Sequence, residues 1–144
     1  MRSLPALALL AGLVALAGAG CGSAVRSPAA VVRAWSAALD RGDNEAAAGL
    51  FATGAEIVQG DLVLRLGSRA AAVRWNASLP CTGTIVSLRA DGPLVHAAFL
   101  LGDRPTSRCD GPGATASAVI LVRHGRIVLW HQTPTRAAPP GPTV

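Results

Sequence analysis

The apolar positions of this 144-residue chain change period along its length. An unbroken apolar run fills residues 4–17. From residue 28 the spacing becomes helical. Val31, Val32, Trp35, Ala38 and Leu39 fall at i, i+1, i+4, i+7 and i+8, which is one face of a helix. Ser27 reads as its N-cap, Pro28 as its first helical residue and Gly42 as its stop. Asp43 predicts a second, short helix through Glu45, Ala47, Leu50 and Phe51, closed at Gly54. Residues 56–59 and 62–66 flank Gly60-Asp61 and read as a hairpin. Ser68 predicts a third helix with Ala72, Trp75 and Leu79 on one side, ended at Pro80.

Beyond Pro80 the period is that of strands. Residues 84–90 and 94–101 flank the hairpin signal Asp91-Gly92. A loop follows over residues 102–113. Residues 114–123 and 127–133 then flank a turn at His124-Gly125. Helix, helix, hairpin, helix and four antiparallel strands make an α+β order. Residues 22–27 read as a short linker. Residues 135–144, rich in proline and without an apolar run, read as a disordered tail, so the folded domain is expected over 28–134.

The first segment is not part of that domain. Met1-Arg2-Ser3, the apolar run and Gly18-Ala19-Gly20-Cys21 have the layout of an export signal. At about 14 residues the run is too short to span a hydrocarbon core as a helix. The segment resembles a bacterial lipoprotein signal ending at Cys21, with Gly18 where leucine is commonest. That resemblance implies residues 1–20 as signal peptide, a diacylglyceryl group and palmitate on Cys21, and a lipid-anchored protein on the extracytoplasmic face of the cell membrane. Ordinary cleavage after Ala17-Gly18-Ala19 is the alternative. Lipidation would use the odd one of three cysteines and leave Cys81 and Cys109 to oxidise as a disulfide. If the strands pair around Asp91-Gly92, Cys81 falls opposite about residue 102, at the same end of the sheet as the loop holding Cys109.

Composition narrows the function classes. All 13 basic residues are Arg, and the formal charge is +5. The arginines are scattered, without the basic and aromatic clustering that a nucleic-acid surface needs. His96, His124 and His131 show no i, i+4 spacing, so no metal site is predicted, and no cofactor motif is present.

Two segments carry a likeness to a known family. One is Val31-Val32-Arg33-Ala34-Trp35-Ser36-Ala37-Ala38-Leu39-Asp40-Arg41-Gly42-Asp43, running on to Ala46-Ala47-Ala48-Gly49-Leu50-Phe51. The other is His124-Gly125-Arg126-Ile127-Val128-Leu129-Trp130-His131-Gln132. With the element order, they resemble the nuclear transport factor 2-like superfamily and its SnoaL-like branch. The resemblance implies three helices packed on a curved, mostly antiparallel sheet, a cone with an apolar pocket, and often a dimer through the outer sheet face. It does not imply one activity, because the cone serves both enzymes and binding proteins.

The family's acid–base positions are poorly filled. Trp130-His131-Gln132 stands where the epoxide-hydrolysing branch has Trp-x-Asp, and an amide is no general base near neutral pH. The chain has no Tyr for an isomerase of the ketosteroid type. No catalytic set is predicted. The expected pocket is Trp35, Trp75 and Trp130 as wall, with His96 and Gln132 as polar points. Two alternatives stay open: the three Trp could simply fill the core, and His96 could face outward. The expected role is a cell-envelope lipoprotein binding a small apolar ligand or a protein partner. The alternative is an exported isomerase or hydrolase using His96 with Gln132.

Overall fold

Ser27 accepts a hydrogen bond from the Ala30 amide and starts α1, Pro28–Asp40. The computed structural model describes residues 24–135; the expected signal segment, Cys21 and residues 136–144 lie outside them. Asp43 caps α2, Asn44–Ala48, and Ser68 caps α3, Arg69–Ser78. The strands are β1 Phe51–Gln59, β2 Leu62–Leu66, β3 Thr82–Asp91, β4 Leu94–Gly102, β5 Thr115–Arg123 and β6 Arg126–Thr133.

They form one six-stranded sheet in the order β2-β1-β6-β5-β4-β3. Every neighbouring pair is antiparallel except β1 and β6, which run parallel with Ile57 opposite Trp130. Register shifts interrupt β1, β3 and the β5–β6 pairing. Such bulges bend a strand and increase its twist, so the sheet curls around the helices. On its inner face Ile57, Val95, Phe99, Ile120, Ile127 and Trp130 are buried against α1, whose Val31, Val32, Trp35 and Leu39 are buried in turn.

Helix α2 is shorter than the sequence predicts. It ends at Ala48, and Phe51 opens β1 rather than closing the helix. Phe51 pairs with Ile127 of β6, so a tertiary contact overrides the local alanine-rich preference. Gly54, expected as the helix stop, sits at positive φ (82°) inside β1 between the two parts of its pairing with β6. β1 accordingly begins five residues before its expected start at 56, and the remaining elements stand within two residues of their expected bounds.

Candidate functional site

The chain has five aromatic residues, and all five meet in the cone. Trp35 and Trp75 stack with centroids 6.3 Å apart and planes 12° from parallel. Trp130 meets them edge-on at 6.0 and 5.4 Å. Phe99 lies 5.9 Å from Trp35, and Phe51 lies 5.4 Å from Trp75. The three Trp are 4, 5 and 7 % exposed. Edge-to-face pairs of this kind contribute roughly 0.5–1.5 kcal/mol beyond their area burial.

Each indole N–H reports on its surroundings. Trp35 Nε1 donates to Asn76 Oδ1 at 2.8 Å, and Asn76 Nδ2 donates to the Ala72 carbonyl at 2.9 Å. Asn76 is fully buried by this arrangement. Trp75 Nε1 donates to Gln59 Oε1 at 3.3 Å, and Gln59 Nε2 donates to Gln132 Oε1 at 3.4 Å. Trp130 Nε1 is buried and has no partner among the described residues. An orphaned buried donor costs about 1–3 kcal/mol, and such groups commonly await a water or ligand.

The cluster does not fill the cone. A cavity of about 330 Å³ remains beside it, lined by Trp35, Phe99, Trp130, Leu101 and Gln132 among others. Gly83 is needed at its wall: a Cβ there would stand 2.8 Å from Phe99 Cβ. Ser36 Oγ donates to the Gly83 carbonyl at 2.8 Å, tying α1 to β3 beneath the cavity. Thr82, also in the lining, donates from its hydroxyl to Asp40 Oδ1 at the end of α1.

The rim is fastened by the Cys81–Cys109 disulfide, with Cα atoms 4.5 Å apart. Thr82 pairs with Gly102, so Cys81 does lie at the end of the sheet where the β4–β5 loop returns. Asp110 Oδ1 stands 3.3 Å from Cys81 Sγ and belongs to the lining. Cys81, Cys109 and Asp110 cluster closely enough to suggest metal ligands, but both sulfurs are spent in the bridge and offer no thiolate.

Sequence reasoning missed the lining residues Gln59, Phe99 and Asp110, and also Arg104, which braces the loop that carries Asp110. Arg104 is 5 % exposed, in the β4–β5 loop. Its Nη1 donates to the carbonyls of Asn76 and Leu79 at 2.6 and 2.9 Å, and its Nη2 donates to Asn44 Oδ1 at 2.5 Å. Burial pulls its pKa below the ordinary arginine value, yet a guanidinium stays charged in a protein. The end of α3 carries the negative pole of that helix and supplies the compensating field. Nothing in the sequence separates this Arg from the solvated ones.

The expected pocket is therefore corrected in two places. His96 is exposed on the outer face of β4, because Val95, Ala97 and Phe99 take the inward positions and alternation turns His96 out. The pair His96 with Gln132 is not assembled. Trp75 is buried beneath the cavity rather than lining it, behind the Trp35 ring on which it stacks. Trp35, Trp130 and Gln132 do line it. His131 is exposed, and His124 sits in the β5–β6 turn at φ 50°.

No protein-family model matches the sequence, and neither does any curated relative. Solved structures do match. An NTF2-like protein from Cytophaga hutchinsonii superposes with a TM-score of 0.62 at 12% identity, covering 74% of this chain and 88% of its own. A candidate polyketide cyclase from Sinorhizobium meliloti gives 0.60 at 17% identity, with 72% and 93% covered. A protein of ketosteroid isomerase-like fold from Catenulispora acidiphila, in complex with trimethylamine, gives 0.58 at 18% identity, with 74% and 85% covered. At these identities the likeness establishes the fold.

Proposed function

We propose that this NTF2-like domain is a binding module of the cell envelope. It takes a small, mostly apolar molecule into its cone without turning it over, and it is held at the membrane by lipid on Cys21. The observation that carries the reading is the cavity of about 330 Å³ left beside an aromatic cluster that uses every aromatic residue of the chain. Against catalysis stands the lining itself, whose ionisable groups reduce to the exposed Asp110. A general base works with a positioned partner, and no His or second carboxylate joins Asp110 in the lining.

The anchor fits this arrangement. Val25 packs within 3.3 Å of where a Gly125 Cβ would be, at the β5–β6 turn, whereas α1 ends at Asp40 beside Thr82 of the cavity. A 13-residue helix spans about 20 Å, so Val25 and the Thr82 edge of the cavity lie at opposite ends of α1. No helix among the described residues is long and apolar enough to cross a bilayer.

Intrinsic Trp fluorescence of the mature domain should shift when a small apolar probe is titrated in. Ala116→Leu, which fills the lining from β5, should abolish the shift while preserving the thermal midpoint. An unshifted wild-type spectrum across a panel of probes defeats the reading. Cys21→Ala should release the protein from the membrane fraction, because two acyl chains are what make anchoring stable.

A homodimer through the outer sheet face is a second use of the same fold. Leu94, Leu121 and Leu129 stand side by side there on β4, β5 and β6, each only half-buried. Leu121→Arg should convert any dimer seen by analytical ultracentrifugation to monomer, and a wild-type chain that sediments as monomer ends this second reading.

A further inference from the structure

The cavity has a charge character that its apolar wall does not by itself fix. Its rings come from Trp35, Phe99 and Trp130, and its one ionisable side chain is Asp110. The chain carries 13 Arg and a formal charge of +5, yet neither Arg nor His contributes to this lining. Arg104, in the same loop as Asp110, is turned to the carbonyls of Asn76 and Leu79. The ion pairs among the described residues are Arg65–Glu56 and Arg69–Glu45, so Asp110 takes part in no ion pair there. A second carboxylate, Asp40, is one hydrogen bond from the lining through Thr82. In a strongly basic chain, the cavity is thus a local region of aromatic and anionic chemistry.

That combination selects by charge. The rings of Trp35, Phe99 and Trp130 offer an apolar wall to an alkyl part. A carboxylate at the opening adds Coulomb attraction for a cation and repels an anion of the same shape. We propose that the ligand is an organic cation, with its apolar part against Trp35, Phe99 and Trp130 and an alkylated ammonium group at Asp110. The inference rests on the small-molecule reading above and adds the chemical class. It places the discriminating group on an exposed side chain, so charge can be removed there without opening the core.

The test uses three six-carbon probes on the mature domain at neutral pH: hexyltrimethylammonium, 1-hexanol and hexanoate. Affinities are read by Trp fluorescence and calorimetry. Hexyltrimethylammonium should bind about tenfold more tightly than hexanol, and hexanoate more weakly than either. Asp110→Asn should lower the ammonium affinity about fivefold and leave hexanol unchanged, and high salt should act in the same direction. Equal binding of ammonium and alcohol, or a preference that survives Asp110→Asn, overturns the cation assignment and leaves the apolar-ligand reading standing. Failure of all three probes, together with larger neutral ones, removes both.

Discussion

Replacing Arg104 by Met tests how the rim of the cone is held. One guanidinium joins the start of α2, the end of α3 and the β4–β5 loop through Asn44, Asn76 and Leu79. Met keeps much of the apolar stem and deletes every donor. Hydrogen bonds to charged groups are each worth about 1.5–3 kcal/mol, so three gross roughly 4.5–9 kcal/mol. Relief of burying a cation with no carboxylate beside it offsets several kcal/mol of that. Its Nε also lacks a partner among the described residues, so the charge is imperfectly satisfied to begin with. The expected net loss is about 3 kcal/mol, large because two helix-end carbonyls and an amide oxygen stay behind without donors. Urea unfolding followed by Trp fluorescence should show a lower midpoint at unchanged slope. Arg104→Lys keeps the charge but not the fork, and should lose about half as much. A Met variant within about 0.5 kcal/mol of wild type, inside the range of ordinary surface substitutions, would refute the reasoning. It would show that desolvation cancels the three bonds and that the disulfide alone fixes the loop.

Gly83→Val should destabilise by about 1–3 kcal/mol in the same assay, because the new Cβ meets Phe99 Cβ at 2.8 Å and neither can rotate away. Removing both Cys81 and Cys109 as alanines should cost about 3.5 kcal/mol in the chain-entropy model for a sequence separation of 28, measured as the midpoint difference from the oxidised protein. Trp35→Phe should cost about 2 kcal/mol by stranding the buried Asn76 Oδ1, and Asn76→Leu in that background should return part of it. His96→Ala should leave every ligand titration unchanged, since the side chain lies on the outer sheet face.

Local pattern alone determined a good deal of this protein. Caps at Ser27, Asp43 and Ser68 start the three helices because a side-chain oxygen meets a backbone amide three residues on, a contact that needs no tertiary partner. The hairpins around Gly60-Asp61 and Asp91-Gly92 are as local. Placing Cys81 near the β4–β5 loop needed only the register of one hairpin, and the bridge to Cys109 follows. Where long-range pairing decided, sequence fell short. Phe51 left its helix because β6, 76 positions later, offered a parallel partner in Ile127. The inward or outward sense of His96 depended on which face of β4 met α1, and a strand of alternating small and apolar residues leaves that choice to the assembled sheet. Arg104 is indistinguishable in sequence from solvated arginines, because its acceptors are backbone carbonyls of α3 and an amide of α2, brought to it only by folding. The cavity itself belongs to that second class: five aromatic side chains are visible in any reading, but the space left beside them is a difference between packed volumes that exists only once the sheet has closed around α1.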